Sequence, residues 1–120
     1  MTLFLHAITV FFGGGLGCIL RFFIGIFFTK LNFYLPVATL ISNLTACLIF
    51  AITLFSFSQK SLPDWQRLFI LTGFCGGLST FSTFSYETFE LFRNGLPLWA
   101  ITNMILSATG CIIIFYMFSR

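Results

Sequence analysis

Gly73-Phe74-Cys75-Gly76-Gly77-Leu78-Ser79-Thr80-Phe81-Ser82-Thr83-Phe84 lies inside the third of four long apolar segments. Its first half carries three glycines and its second half four hydroxyl side chains. A helix that merely faces lipid needs neither. Glycine loosens a helix, and backbone freed at membrane depth must find partners in protein or in a water-filled cavity. Unwound carbonyls and half-helix ends inside a spanning helix point at ions. The stretch therefore predicts a third span broken mid-membrane, with an ion site at the break.

The rest of the chain fits a bilayer setting. Of 120 residues, 58% are hydrophobic and 8% charged, and the mean hydropathy is +1.04. A soluble domain carries roughly 25% charged residues. Spans of about 20 residues place helices over about 3–28, 35–57, 66–92 and 98–118. That leaves short loops and one all-α membrane domain over 1–120. The first segment lacks a small-residue cleavage site and reads as a retained helix. Six basic residues against three acidic ones give a net charge of +3. They form no basic cluster, which argues against nucleic acid as a partner. Cys18, Cys47, Cys75 and Cys111 each sit in a different segment. No CxxC or metal-knuckle spacing occurs, so they read as small buried hydrophobes.

Each segment carries one stripe unsuited to lipid. Gly13, Gly17, Arg21 and Gly25 recur every four residues in the first. Gly13 and Gly17 make a small-xxx-small contact surface. Arg21 either snorkels toward the near interface or forms a cationic vestibule that attracts anions. In the second segment Thr39, Asn43 and Ala46 share a face. Asn43 serves equally well as interhelical glue or as pore lining. In the third, Ser79, Thr83, Glu87 and Glu90 fall on one face, and Phe81, Phe84 and Thr88 on another. In the fourth, Asn103, Ser107 and Gly110 form a narrow small or polar face. Stripes of this kind in so small a unit suggest a homo-oligomer. The basic residues divide evenly, with Lys60, Arg67 and Arg120 on one side and Lys30, Arg93 and Arg21 toward the other. The positive-inside rule then sets no direction, so either another factor fixes a single topology or, the reading favoured here, the chain inserts both ways and pairs antiparallel.

Enzyme chemistry has little support, so the chain is not expected to be an enzyme. His6 is the only histidine and has no evident carboxylate or cysteine partner. The glycine runs lack the Lys-Ser/Thr of a phosphate loop. Ion handling fits better. Backbone carbonyls suit a small hard cation, while hydroxyls and an Asn amide donate to an anion. An aromatic ring has a positive edge, so Phe81 and Phe84, flanking Ser82 and Thr83, can offer edges beside donors. With 19 phenylalanines in the chain, a lipid-facing or core role stands beside that one.

The third-segment stretch resembles the signature of the CrcB/Fluc fluoride channels. Gly13-Gly14-Gly15-Leu16-Gly17 followed by Arg21 resembles the family's first-helix motif, and Thr39 and Asn43 its second-helix pair. The resemblance covers all four segments. It implies a passive, fluoride-selective exporter in a bacterial inner membrane, built as an antiparallel, dual-topology homodimer with two pores. It implies Phe81 and Phe84 as pore rings, Asn43 as a donor to fluoride, and Ser82 and Thr83 as a polar track. It further implies main-chain carbonyls of Gly76 and Ser79 on a structural sodium ion at the dimer axis, and Arg21 near a pore mouth. Ser79 stands where many members have Thr, and Ala38 and Ala46 replace glycines common in the family. A small four-helix multidrug/proton antiporter is the alternative. That class needs a carboxylate in its first span, where this chain has none.

Overall fold

The computed structural model describes residues 2–31, 35–57 and 62–120. The loop readings at 32–34 and 58–61, Lys60 included, lie outside the described residues. Among the described residues all regular structure is helical. α1 spans Thr2–Phe28 and α2 Val37–Ser56. The third segment is composite: α3 (Asp64–Arg67), a π-helical stretch (Leu68–Cys75), α4 (Gly76–Leu78) and α5 (Phe81–Arg93). α6 spans Pro97–Phe118. The four helical segments are each long and apolar enough to cross a membrane.

Glycine sets the closest packing. α1 lies against the π-helical stretch and α4. A Cβ on Gly13 would collide with the carbonyl oxygen of Phe69, and one on Gly17 with that of Phe74. The fit is mutual, because a Cβ on Gly73 would sit 2.9 Å from the carbonyl oxygen of Val10 and one on Gly77 would strike that of Gly14. Two backbones therefore interlock, with Cα hydrogens aimed at carbonyl oxygens. Such contacts are each worth about 0.5–1 kcal/mol.

On the other side α2 packs on α6, and α5 on α6. Ala51 and Ala100 are fully buried, and Gly110 admits Leu44. Buried Asn103 donates to the Thr88 hydroxyl at 2.9 Å, and that hydroxyl donates to the Phe84 carbonyl at 2.8 Å. An interhelical bond of this kind contributes about 0.6–1.7 kcal/mol in a membrane. The α5–α6 turn is a Schellman motif. Leu96 N–H donates to Leu91 and Gly95 N–H to Phe92, at 2.9 and 3.1 Å, with Gly95 at φ +73°. Pro97 then opens α6, where its missing N–H costs nothing.

The cysteines depart from expectation. Cys75 alone among them is buried, Cys47 and Cys111 are half-buried, and Cys18 is exposed. Helix α1 touches its neighbours through its glycine side, so Cys18 falls outside the contact. Ala46, Cys75 and Leu78 form a small core at the centre of the bundle.

Candidate functional site

The geometry centres on two residues between α4 and α5. Ser79 (φ −82°, ψ 154°) and Thr80 (φ −149°, ψ 123°) are extended. Gly76 and Gly77 remain helical. The helix ends because side chains capture its donors. Ser79 donates both its N–H and its hydroxyl to the Cys75 carbonyl, at 3.0 and 2.8 Å. Thr80 N–H donates to Asn43 Oδ1 at 2.8 Å, and Asn43 Nδ2 returns a longer bond to the Thr80 carbonyl at 3.4 Å. Thr83 N–H donates to the Thr80 hydroxyl at 3.2 Å. Thr80 is thus the N-cap of α5, the position where Thr is favoured.

These diversions free two carbonyls. In a continuous helix Thr80 N–H would reach Gly76 and Thr83 N–H would reach Ser79. Both now bond side-chain oxygens instead. The carbonyls of Gly76 and Ser79 are hard oxygen donors of the kind a small hard cation takes. A Cβ on Gly76 would meet nothing within 4 Å, so that face of the chain is open. Two carbonyl oxygens alone make an incomplete donor set for such a cation. Among the described residues no group of three His, Cys, Asp or Glu could hold a metal.

Two hollows flank the extended pair, and Thr80 borders both. The smaller, about 280 Å³, brings together Asn43, Ser79, Phe81 and Phe84 with Cys47 and Cys111. The Phe81 and Phe84 ring centroids lie 5.9 Å apart with planes inclined 40°. The larger, an open cleft of about 570 Å³, is lined by Arg21, Thr39, Ser42, Thr83 and Glu87. Arg21 donates through Nε to the Gly77 carbonyl at 3.1 Å, beside the end of α4. It has no acidic partner among the described residues, where the one ion pair is Arg93–Glu90 at 2.9 Å. Its charge remains available to the cleft.

The predicted residues thus fall in three places. Asn43, Phe81 and Phe84 share the smaller hollow, whereas Thr83 and Arg21 line the cleft. Ser82 is exposed on the first turn of α5, its hydroxyl 3.4 Å from that of Thr80. Two contacts escaped sequence reasoning. Thr80, a hydroxyl residue just ahead of an amphipathic run, carried a cap signal that went unused. Thr39 donates to Glu87 at 2.8 Å across α2 and α5, leaving Glu87 Oε2 buried without a partner among the described residues. His6 borders a hollow of about 410 Å³ with Asp64 and Arg67.

Comparison with known proteins gives a consistent result. Residues 8–118 match the family described as CrcB-like protein, Camphor Resistance (CrcB). The fluoride-specific ion channel FluC of Serratia proteamaculans (strain 568) is 42% identical over 108 residues, covering 88% of this chain and 84% of that protein. The protein of the same name from Methanocaldococcus jannaschii is 45% identical over 105 residues, with 87% and 83% covered. That from Klebsiella pneumoniae (strain 342) is 37% identical over 117 residues, with 92% and 91% covered.

Proposed function

The chain belongs to the CrcB family, and from that membership we propose that it is a fluoride-selective channel. It lets fluoride leave the cytoplasm passively, down its gradient. Its four apolar helices make it a multi-pass membrane protein, and the bacterial inner membrane is the proposed location. The observation that carries the reading is the smaller hollow, where Asn43 and two phenylalanine rings meet at the start of α5.

Fluoride is strongly hydrated, so a path must replace water with close donors. The first turn of α5 supplies them. Helix N-terminal N–H groups lack intrahelical partners, and the dipole there favours an anion. The hydroxyls of Ser82 and Thr83 stand on the same turn. Asn43 keeps one amide hydrogen beyond its bond to Thr80. The rings of Phe81 and Phe84 would present their positive edges to the anion. Arg21 would raise the anion concentration in the cleft.

The second copy belongs to the same proposal. Phe81 is 80% exposed in the single chain, and Gly76 faces open space. An antiparallel homodimer covers both, places Ser79 and Thr80 at membrane depth and brings two sets of Gly76 and Ser79 carbonyls together. Sodium held there would supply a fixed positive charge in a region of low dielectric. Membrane lipid then covers the remaining apolar surface.

Purified protein reconstituted in liposomes tests the function with a fluoride electrode. Rapid fluoride efflux with negligible chloride efflux is expected, and a folded, sodium-replete sample without fluoride efflux would sink the channel. Phe81→Ile or Phe84→Ile should slow efflux by about tenfold or more, a barrier rise of about 1.4 kcal/mol, with the dimer intact. Normal conduction in both removes the rings from the path. For topology, Lys30→Cys in cells should react with an impermeant maleimide from both sides of the membrane. Reaction from one side only excludes dual insertion.

A further inference from the structure

Cys47 on α2 and Cys111 on α6 occupy the same hollow as Asn43, Phe81 and Phe84. Cys47 stands one helical turn after Asn43 on α2. Cys111 also lies 3.8 Å from the Asn43 carbonyl, to which it donates. Neither thiol has a task in the fluoride path proposed above. Fluoride and sodium are hard ions, and thiolates are the softest side-chain ligands.

We propose that Cys47 and Cys111 form a two-coordinate site for a soft divalent cation of the mercuric type, and that its occupation blocks conduction. The blocking half rests on the channel reading; the binding half does not. The charge balance selects the ion. Two S–H bonds and the ion's two bonds to chloride or water break, two metal–sulfur bonds form, and two protons and the displaced ligands leave to water, with no change of oxidation state. A divalent ion then replaces two protons and the pair stays neutral. A monovalent soft ion must either keep one proton and bind one sulfur as a weaker thiol donor, or bind two thiolates and leave a net negative charge in an apolar wall, which burial disfavours. That charge would also repel the anion from the neighbouring path. The site draws both ligands from one chain, and the metal staples α2 to α6 beside the two rings.

The test starts from the full chain carrying Cys18→Ala, which removes the exposed thiol. Mercuric chloride is added to the purified protein, and the ultraviolet charge-transfer band of mercury–thiolate bonds is read. The expected result is about one ion per chain, held against roughly tenfold more competing monothiol than strips it from Cys47→Ala or Cys111→Ala. Cys47→Ser and Cys111→Ser repeat the comparison with nearly unchanged side-chain volume, so a folding defect in an alanine variant does not decide the matter. Silver ion should bind more weakly at the same pair. Absent binding, or binding indifferent to either cysteine, overturns the site. Fluoride efflux from liposomes of the same protein is recorded before and after mercury. Efflux present before and cut at least about tenfold after supports the block. Tight mercury with undiminished efflux overturns the block. Efflux absent from the start strikes the channel reading, while the binding data still support the site.

Discussion

Asn43→Ala is expected to abolish fluoride efflux, and Asn43→Asp to reduce it at least about a hundredfold, for different reasons. Asn43 holds Thr80 at both ends of its peptide group, accepting its N–H at 2.8 Å and donating to its carbonyl at 3.4 Å. Alanine removes both partners. A buried polar group left unpaired costs about 1–3 kcal/mol, and the cheapest repair is for Thr80 N–H to return to the Gly76 carbonyl. That repair closes the helix and withdraws an oxygen from the proposed cation site. Aspartate keeps the acceptor for Thr80 N–H, so the extended pair survives. It also sets a negative charge beside the proposed anion path. Two like charges about 4 Å apart repel by about 4 kcal/mol at an effective dielectric near 20. Efflux from liposomes and recovery of the parent's sizing-column peak read the two variants. Near-normal conduction by Asn43→Asp would make Asn43 a backbone clamp and no part of the anion path. Near-normal conduction by Asn43→Ala would remove the extended pair from the mechanism altogether.

The same residue shows where sequence reasoning reached and where it stopped. The four apolar segments were legible because a bilayer demands long runs of uncharged residues. Asn43 was legible as a polar residue in such a run. Its target was not, because periodicity orders residues around one helix and says nothing of the neighbour they meet. The same limit hid Thr39 and Glu87, which lie on separate helices. The third segment is more instructive. Its glycines suggested where the helix loosens, yet Gly76 and Gly77 are helical. What extends Ser79 and Thr80 is a competition for N–H donors, won by Asn43 Oδ1 and the Thr80 hydroxyl. The glycines serve another end. They let the chain pass within backbone contact of α1, and that partnership between Gly13 and Gly17 on one side and Gly73 and Gly77 on the other is a property of the pair of helices.

Gly17→Ala is accordingly expected to damage the fold more than any other single methyl group added to α1. The new Cβ would strike the Phe74 carbonyl oxygen and lie 2.8 Å from Leu78 N. Both are backbone atoms, so no rotamer change relieves the clash. Overpacking costs about 1–3 kcal/mol where side chains can give way; here the helices themselves must separate, which puts the cost at the top of that range. A loss of about 3 kcal/mol lowers the midpoint of thermal unfolding by at least about 10 °C in a chain this small. Gly77→Ala should fall as far, since its Cβ meets the Gly14 carbonyl group. It should also disturb function in the surviving protein, because the Gly77 carbonyl holds Arg21 at 3.1 Å. Gly15→Ala is the control. A Cβ there meets nothing within 4 Å, and alanine gains about 0.5–1 kcal/mol over glycine within a helix. Loss of the sizing-column peak with temperature, in one detergent, ranks the three. A Gly17→Ala protein that melts with the parent, or a Gly15→Ala protein that falls beside it, would mean that α1 is not seated on the third segment through its glycines. The approach of the two backbones also fixes where Gly76 and Ser79 stand. A separation of α1 from the third segment should therefore weaken the proposed sodium site and the fluoride path together, so that efflux declines in the same order as thermal stability.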